Sequence, residues 1–199
     1  MGFISDWKDR RALKKWEAAG CPAPPPHLIK RRNIARFRDQ FGLSILVETG
    51  TFKGDMVEAM KGGFKKVYSI ELADHFYQAA VERFRKDANV TILHGDSGKV
   101  IKELVPKLDG PSLFWLDGHY SAGNTARGEK DTPVMEELAH IFAVRDLRCV
   151  ILIDDARCFS GGSEQEYPSV QEVRDFVAQH RPDWKVDIAD DCIRITPPA

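Results

Sequence analysis

Ser44-Ile45-Leu46-Val47-Glu48-Thr49-Gly50-Thr51-Phe52-Lys53-Gly54 runs from an apolar stretch straight into a turn with two glycines, and a helix is expected to follow over about Asp55–Met60. A strand that breaks at glycine and re-enters as a helix is the opening unit of an open α/β sheet. The alternation continues to the end of the chain. Strands are expected at Ser44–Glu48, Lys66–Glu71, Val90–His94, Ser112–Asp117, Cys149–Asp154, Trp184–Ile188 and Cys192–Thr196. Between them, helical periodicity marks about Asp74–Asp87, Gly98–Leu104, Pro133–Val144 and Ser169–His180. Only Ala189-Asp190-Asp191 separates the last two strands, too short for a crossover, so they should pair as an antiparallel hairpin. The fold class expected is Rossmann-like α/β: a seven-stranded, mainly parallel sheet with a C-terminal antiparallel hairpin and helices on both faces.

Upstream, the run Cys21-Pro-Ala-Pro-Pro-Pro26 interrupts any helix, because proline donates no backbone hydrogen bond. It divides one helix at about Ser5–Ala18 from a second at about His27–Phe41. We read residues 1–41 as a helical lead-in and 42–199 as the α/β domain. Through Gln40 there are ten basic and four acidic residues, a net +6 that leaves −7 for the remainder. Such an arm can attract nucleic acid. Here its charges interleave with Trp7, Leu13, Trp16, Ile34 and Phe37 at near-helical spacing, so amphipathic helices that cover the site or a second subunit are expected instead.

Bulk composition narrows the class. A chain of 199 residues with 43% hydrophobic and 30% charged residues has room for one ordinary core. No stretch approaches the ~20 apolar residues of a membrane span, and charges at Asp6, Lys8, Asp9, Arg10 and Arg11 do not resemble a secretory leader. A cytoplasmic protein is expected. Cys21, Cys149, Cys158 and Cys192 form no CxxC pair, so they are read as unreactive thiols.

The chemistry-bearing residues gather at strand ends, where open parallel sheets bind ligands. Glu71 ends the second strand, 21 residues beyond Gly50, the spacing at which an acid can accept the hydroxyls of an adenosine ribose. A nicotinamide dinucleotide would want glycine at Phe52, so that the backbone could approach a pyrophosphate. The third strand runs into Gly95-Asp96-Ser97, which can cap the next helix and also face an adenine. The fourth delivers Asp117-Gly118-His119-Tyr120 and the fifth Asp154-Asp155. Three carboxylates at neighbouring strand tips need a counter-cation, and a hard divalent ion such as magnesium suits them.

Taken in order, these motifs resemble those of the class I S-adenosylmethionine-dependent methyltransferases, nearest to the metal-dependent O-methyltransferases of the macrocin and catechol types. The likeness covers about Leu46 to Asp155, and five β-α units closed by a hairpin are the element order of that seven-stranded fold. The resemblance implies that the turn bearing Glu48, Gly50, Thr51 and Gly54 passes under the methionine part of S-adenosylmethionine. It implies further that Glu71 holds the ribose, that Asp96 and Ser97 lie by the adenine, and that Asp117 borders the cofactor. Asp117, Asp154 and Asp155 match the family's metal ligands. His119 stands where the sugar-methylating branch places an acid that acts as base, and imidazole suits that role. Tyr120 stands where the catechol branch has lysine.

The activity implied is O-methylation of a small hydroxylated acceptor such as a sugar or natural product, with magnesium assisting. Arg127, Arg157, Phe159 and Tyr167, on the loops after the fourth and fifth strands, are candidate acceptor contacts. A metal-dependent hydrolase and a nicotinamide-dependent oxidoreductase are the alternatives. No membrane or nucleic-acid partner is expected, and the N-terminal helices offer a route to a homo-oligomer.

Overall fold

The computed structural model describes residues 3–118, 132–161 and 167–198. Among these, seven strands form one sheet: β1 (Ile45–Thr49), β2 (Lys66–Glu71), β3 (Val90–His94), β4 (Ser112–Leu116), β5 (Cys149–Ile153), β6 (Lys185–Ala189) and β7 (Cys192–Thr196). Seven α-helices accompany them: α1 (Phe3–Ala18), α2 (His27–Phe41), α3 (Asp55–Met60), α4 (Asp74–Phe84), α5 (Ser97–Leu104), α6 (Val134–Ala143) and α7 (Val170–His180). The strand order is β3-β2-β1-β4-β5-β7-β6. Every pairing is parallel except those of β7 with β5 and with β6.

The sequence expectations for β2, β3, β7, α2 and α3 coincide with the observed elements. Elsewhere the differences are terminal: β1 begins and ends one residue later, and Asp117 and Asp154 lie just beyond their strands. The β6–β7 hairpin closes on Asp190 and Asp191, both at positive φ (53° and 59°), the two-residue turn whose twist matches that of paired strands.

Strand alternation builds a separate core on each face of the sheet. Val47, Phe114, Ile151, Ile153 and Ile193 pack against Ile101 of α5, Leu138 and Ile141 of α6, and Val173 of α7. On the other face, Leu46, Val67, Leu113, Trp115, Val150 and Leu152 meet Ile34 and Phe37 of α2, Val57 of α3 and Phe84 of α4. Helix α2 therefore belongs to the core. It carries a stripe Lys30-Asn33-Ile34-Phe37 at helical spacing, whose last three members are buried. Polar pairing pins it as well: Arg194 of β7 donates to Asn33 Oδ1 (3.1 Å) and to Asp190 Oδ2 (2.5 Å), and Asn33 Nδ2 donates to the same Asp190 oxygen (3.3 Å). No helix among the described residues is long and apolar enough to cross a membrane.

Candidate functional site

Strand order reverses between β1 and β4, whose outward connections run to opposite sides of the sheet, and this is where an open parallel sheet leaves a crevice. Gly50 sits at its floor with φ +84°, and a Cβ there would lie 2.5 Å from the carbonyl oxygen of Asp117. Only glycine permits so close an approach of the two strand exits. Thr49 Oγ1 fixes the opposite wall by accepting from the backbone N–H groups of Asp117 (3.2 Å) and Gly118 (3.1 Å). Gly54, at φ +75°, starts α3 against the Phe84 ring.

Glu71 is buried at the end of β2. One of its oxygens accepts from the N–H of Phe52 (2.7 Å) and the other from that of Ala73 (2.8 Å). It thus clamps the β1–α3 turn to the end of β2, and each oxygen retains a lone pair for a ligand hydroxyl. Phe52 adopts φ +48°, the left-handed conformation that glycine would favour, and its exposed ring packs edge-on against Phe76 at 4.6 Å. Asp96 caps α5 through an accepted bond from Gly98 N–H (2.9 Å). Ser97 is buried beside the β4 exit, with its Oγ 3.2 Å from where a Cβ on Gly118 would lie.

Glu48 is almost wholly enclosed, and Ser69 donates to its Oε2 (2.5 Å) while Ser69 and Thr51 share a further hydroxyl bond of 2.6 Å. Burial pushes the Glu48 carboxyl up to about 8, Ser69 works against that rise, and the nearby Asp117 and Glu71 add to it. Glu48 is therefore a neutral acid at neutral pH.

Asp117, Asp154 and Asp155 come together as the sequence implied, each offering an oxygen within 4.8 Å of the others. Such a donor set suits a hard divalent ion. The same space, however, is already reached by a cation. Lys30 of α2 donates to Asp154 Oδ2, and its Nζ stands 3.6 Å from Asp155 Oδ1. Burial works against the Lys30 charge, but Asp154, with Asp117 and Asp155 behind it, outweighs burial and raises the lysine above its ordinary value, while burial lifts the Asp154 carboxyl above its own ordinary value against the pull of Lys30. Asp155, at φ +55°, also accepts from Arg157 Nη1 (2.8 Å), which in turn bonds Asp191 in the β6–β7 turn. A divalent ion does not fit beside these partners as they stand; it would have to expel Lys30.

The expected base His119, together with Tyr120 and Arg127, lies outside the described residues. Of the other candidate acceptor contacts, Phe159 is core, packed edge-on against Tyr167 at 5.4 Å. Tyr167 also lines a cavity of about 340 Å³ with Thr132, Met135, Glu136 and Glu172, between the starts of α6 and α7.

No family model matches the chain, and no curated protein matches its sequence. Solved structures do match. The SAH-bound methyltransferase PaMTH1 of Podospora anserina superposes with a TM-score of 0.61 at 17% identity, covering 98% of this chain and 94% of that one. The O-methyltransferase of Bacillus cereus, in complex with SAH, gives 0.61 at 14% identity over 94% and 88%. The chain has the class I methyltransferase fold. The 23S rRNA methyltransferase ErmE is similar at a lower level, 0.50 and 13% over 85% and 68%.

Within this methyltransferase fold, sequence reading missed Lys30 and Thr49. Thr49 carried no signal beyond its place at the end of a strand. Lys30 did carry one: it shares a helical stripe with Ile34 and Phe37, which marks it as inward-facing.

Proposed function

We propose that this chain is a cytoplasmic S-adenosylmethionine-dependent methyltransferase that acts on a hydroxyl of a small acceptor. The observation that carries the reading is the crevice at the sheet reversal. There Gly50, by lacking a side chain, lets the turn after β1 approach the Asp117 carbonyl, and Glu71 ties that turn down while keeping lone pairs free. That is a cradle for a nucleoside whose sulfur end points toward β4. Phe52 stands where a pyrophosphate would need glycine, which favours a sulfonium nucleoside over a dinucleotide.

The reaction is a displacement at carbon. An acceptor oxygen attacks the methyl group, the carbon–sulfur bond breaks, the electron pair stays on sulfur as a neutral thioether, and the oxygen's proton passes to a base. His119, two residues past Asp117 in the sequence, is the base in this reading. Gly50, Thr51 and Gly54 border the methionine part, Asp96 and Ser97 face the adenine, and Asp117 turns toward the acceptor. Most of the rate gain comes from alignment and exclusion of water, since the cofactor brings the reactive group.

Calorimetry with S-adenosylhomocysteine tests this without knowledge of the acceptor. Binding is expected, and Glu71→Ala should weaken it by about 1–3 kcal/mol, the scale of a hydrogen bond to a charged group. Absence of binding of both S-adenosylhomocysteine and S-adenosylmethionine at millimolar concentration overturns the proposal.

A further inference from the structure

We propose that the ammonium of Lys30 is the resident cation of the Asp117–Asp154–Asp155 cluster, in the place a divalent ion would otherwise take. One oxygen from each of the three acids falls within 4.8 Å of the others, and Lys30 Nζ contacts two of the three acids, including the most buried, Asp154, while Arg157 reaches Asp155 alone among them. The Asp154 side chain is 1% exposed, with Oδ1 lacking a hydrogen-bond partner among the described residues, so removal of the lysine would leave a buried carboxylate uncompensated. Helix α2 holds the lysine there. Ile34, one turn along, is fully buried, and Asn33 is bound to both Arg194 and Asp190.

For the reaction, and resting on the methyltransfer reading, this means that an acceptor hydroxyl meets a hydrogen-bond donor of single charge on a helix that belongs to the fold. Transfer then proceeds without added metal, and Lys30 positions rather than ionises the acceptor.

Manganese is the probe, followed by electron paramagnetic resonance on the full chain. Wild type should show no binding up to a concentration on the order of 1 mM. Lys30→Met, or Lys30→Gln if the first does not fold, should expose a site at least ~10-fold tighter, which Asp154→Asn in the same background removes. Thermal melts of wild type, K30M, D154N and the double variant give a second readout. The double variant should recover part of the stability lost in K30M, because the buried charge left unpaired is then gone. Tight manganese binding by wild type, or melting effects that simply add, overturns the proposal. Titration of the same samples with S-adenosylhomocysteine separates the two ideas. If none binds it, the methyltransfer reading falls, while the manganese and melting results still decide the role of Lys30.

Discussion

Gly50 and Glu48 lie two positions apart on one strand exit and set different constraints on the site. At Gly50 the constraint is geometric: alanine would keep a positive φ and drive its methyl onto the Asp117 carbonyl at the exit of β4. Gly50→Ala should cost about 1–3 kcal/mol from strain and displaced backbone. Wild-type melting together with wild-type affinity for S-adenosylhomocysteine would show that the approach has no such role. At Glu48 the constraint is protonic. Its pKa of about 8 lies above the ordinary 4.5, so the folded state holds a proton that the unfolded chain releases. The stability this contributes is whole below about pH 4.5 and is lost as pH rises through about 8, by up to about 1.4 kcal/mol per pH unit. Glu48→Gln, a neutral isostere, should therefore flatten the decline of melting temperature between about pH 5 and pH 9. Parallel curves for the two proteins would mean that Glu48 titrates elsewhere.

Among the elements, α2 decides whether the cluster of acids has its cation. Ile34 shares one buried cluster with Leu46, Trp115 and Leu152, and truncation to alanine should remove about 2–5 kcal/mol, seen as a lower midpoint in denaturant. An unchanged midpoint would mean that the helix rests on the sheet without support from this contact. The elements were largely legible in the sequence because each obeys a local rule. Strands β1, β4 and β5 are buried at every position and carry the apolar runs Ile45–Val47, Leu113–Leu116 and Cys149–Ile153, and α7 begins with a capping box, Ser169 with Glu172. The three acids were legible too, since apolar strands that stop at aspartate stand out. Lys30 was legible only in part: its stripe with Ile34 and Phe37 marks it as inward-facing, but its partner Asp154 lies 124 residues away and is not given by any local rule. What failed to show was a relation between distant elements, while each element taken singly was read to within a few residues at its ends.

At the scale of the molecule, the two N-terminal helices divide sharply in what they do. Helix α1 meets the rest through an ion pair between Asp9 and Arg31 (2.5 Å). Its Trp7 is 60% exposed, and none of its described side chains belongs to either core. Helix α2 covers one sheet face and, through Lys30 and Asn33, joins that face to the acids after β5 and to the β6–β7 turn. Deleting residues 1–23 should therefore leave the affinity for S-adenosylhomocysteine within about twofold and the melting temperature within a few degrees, the range expected of surface changes of about 1 kcal/mol. Deleting residues 1–41 should strip the cover from Leu46, Trp115, Val150 and Leu152 and give a protein that binds a hydrophobic dye and aggregates. The shorter deletion also tests α1 as the route to self-association, since its exposed tryptophan is the kind of residue that anchors a subunit contact. Sedimentation of the wild type and of this deletion should differ if α1 joins two copies, and match if it does not. Loss of ligand binding on removal of residues 1–23 alone would contradict the division, because the site would then depend on a helix that touches neither core.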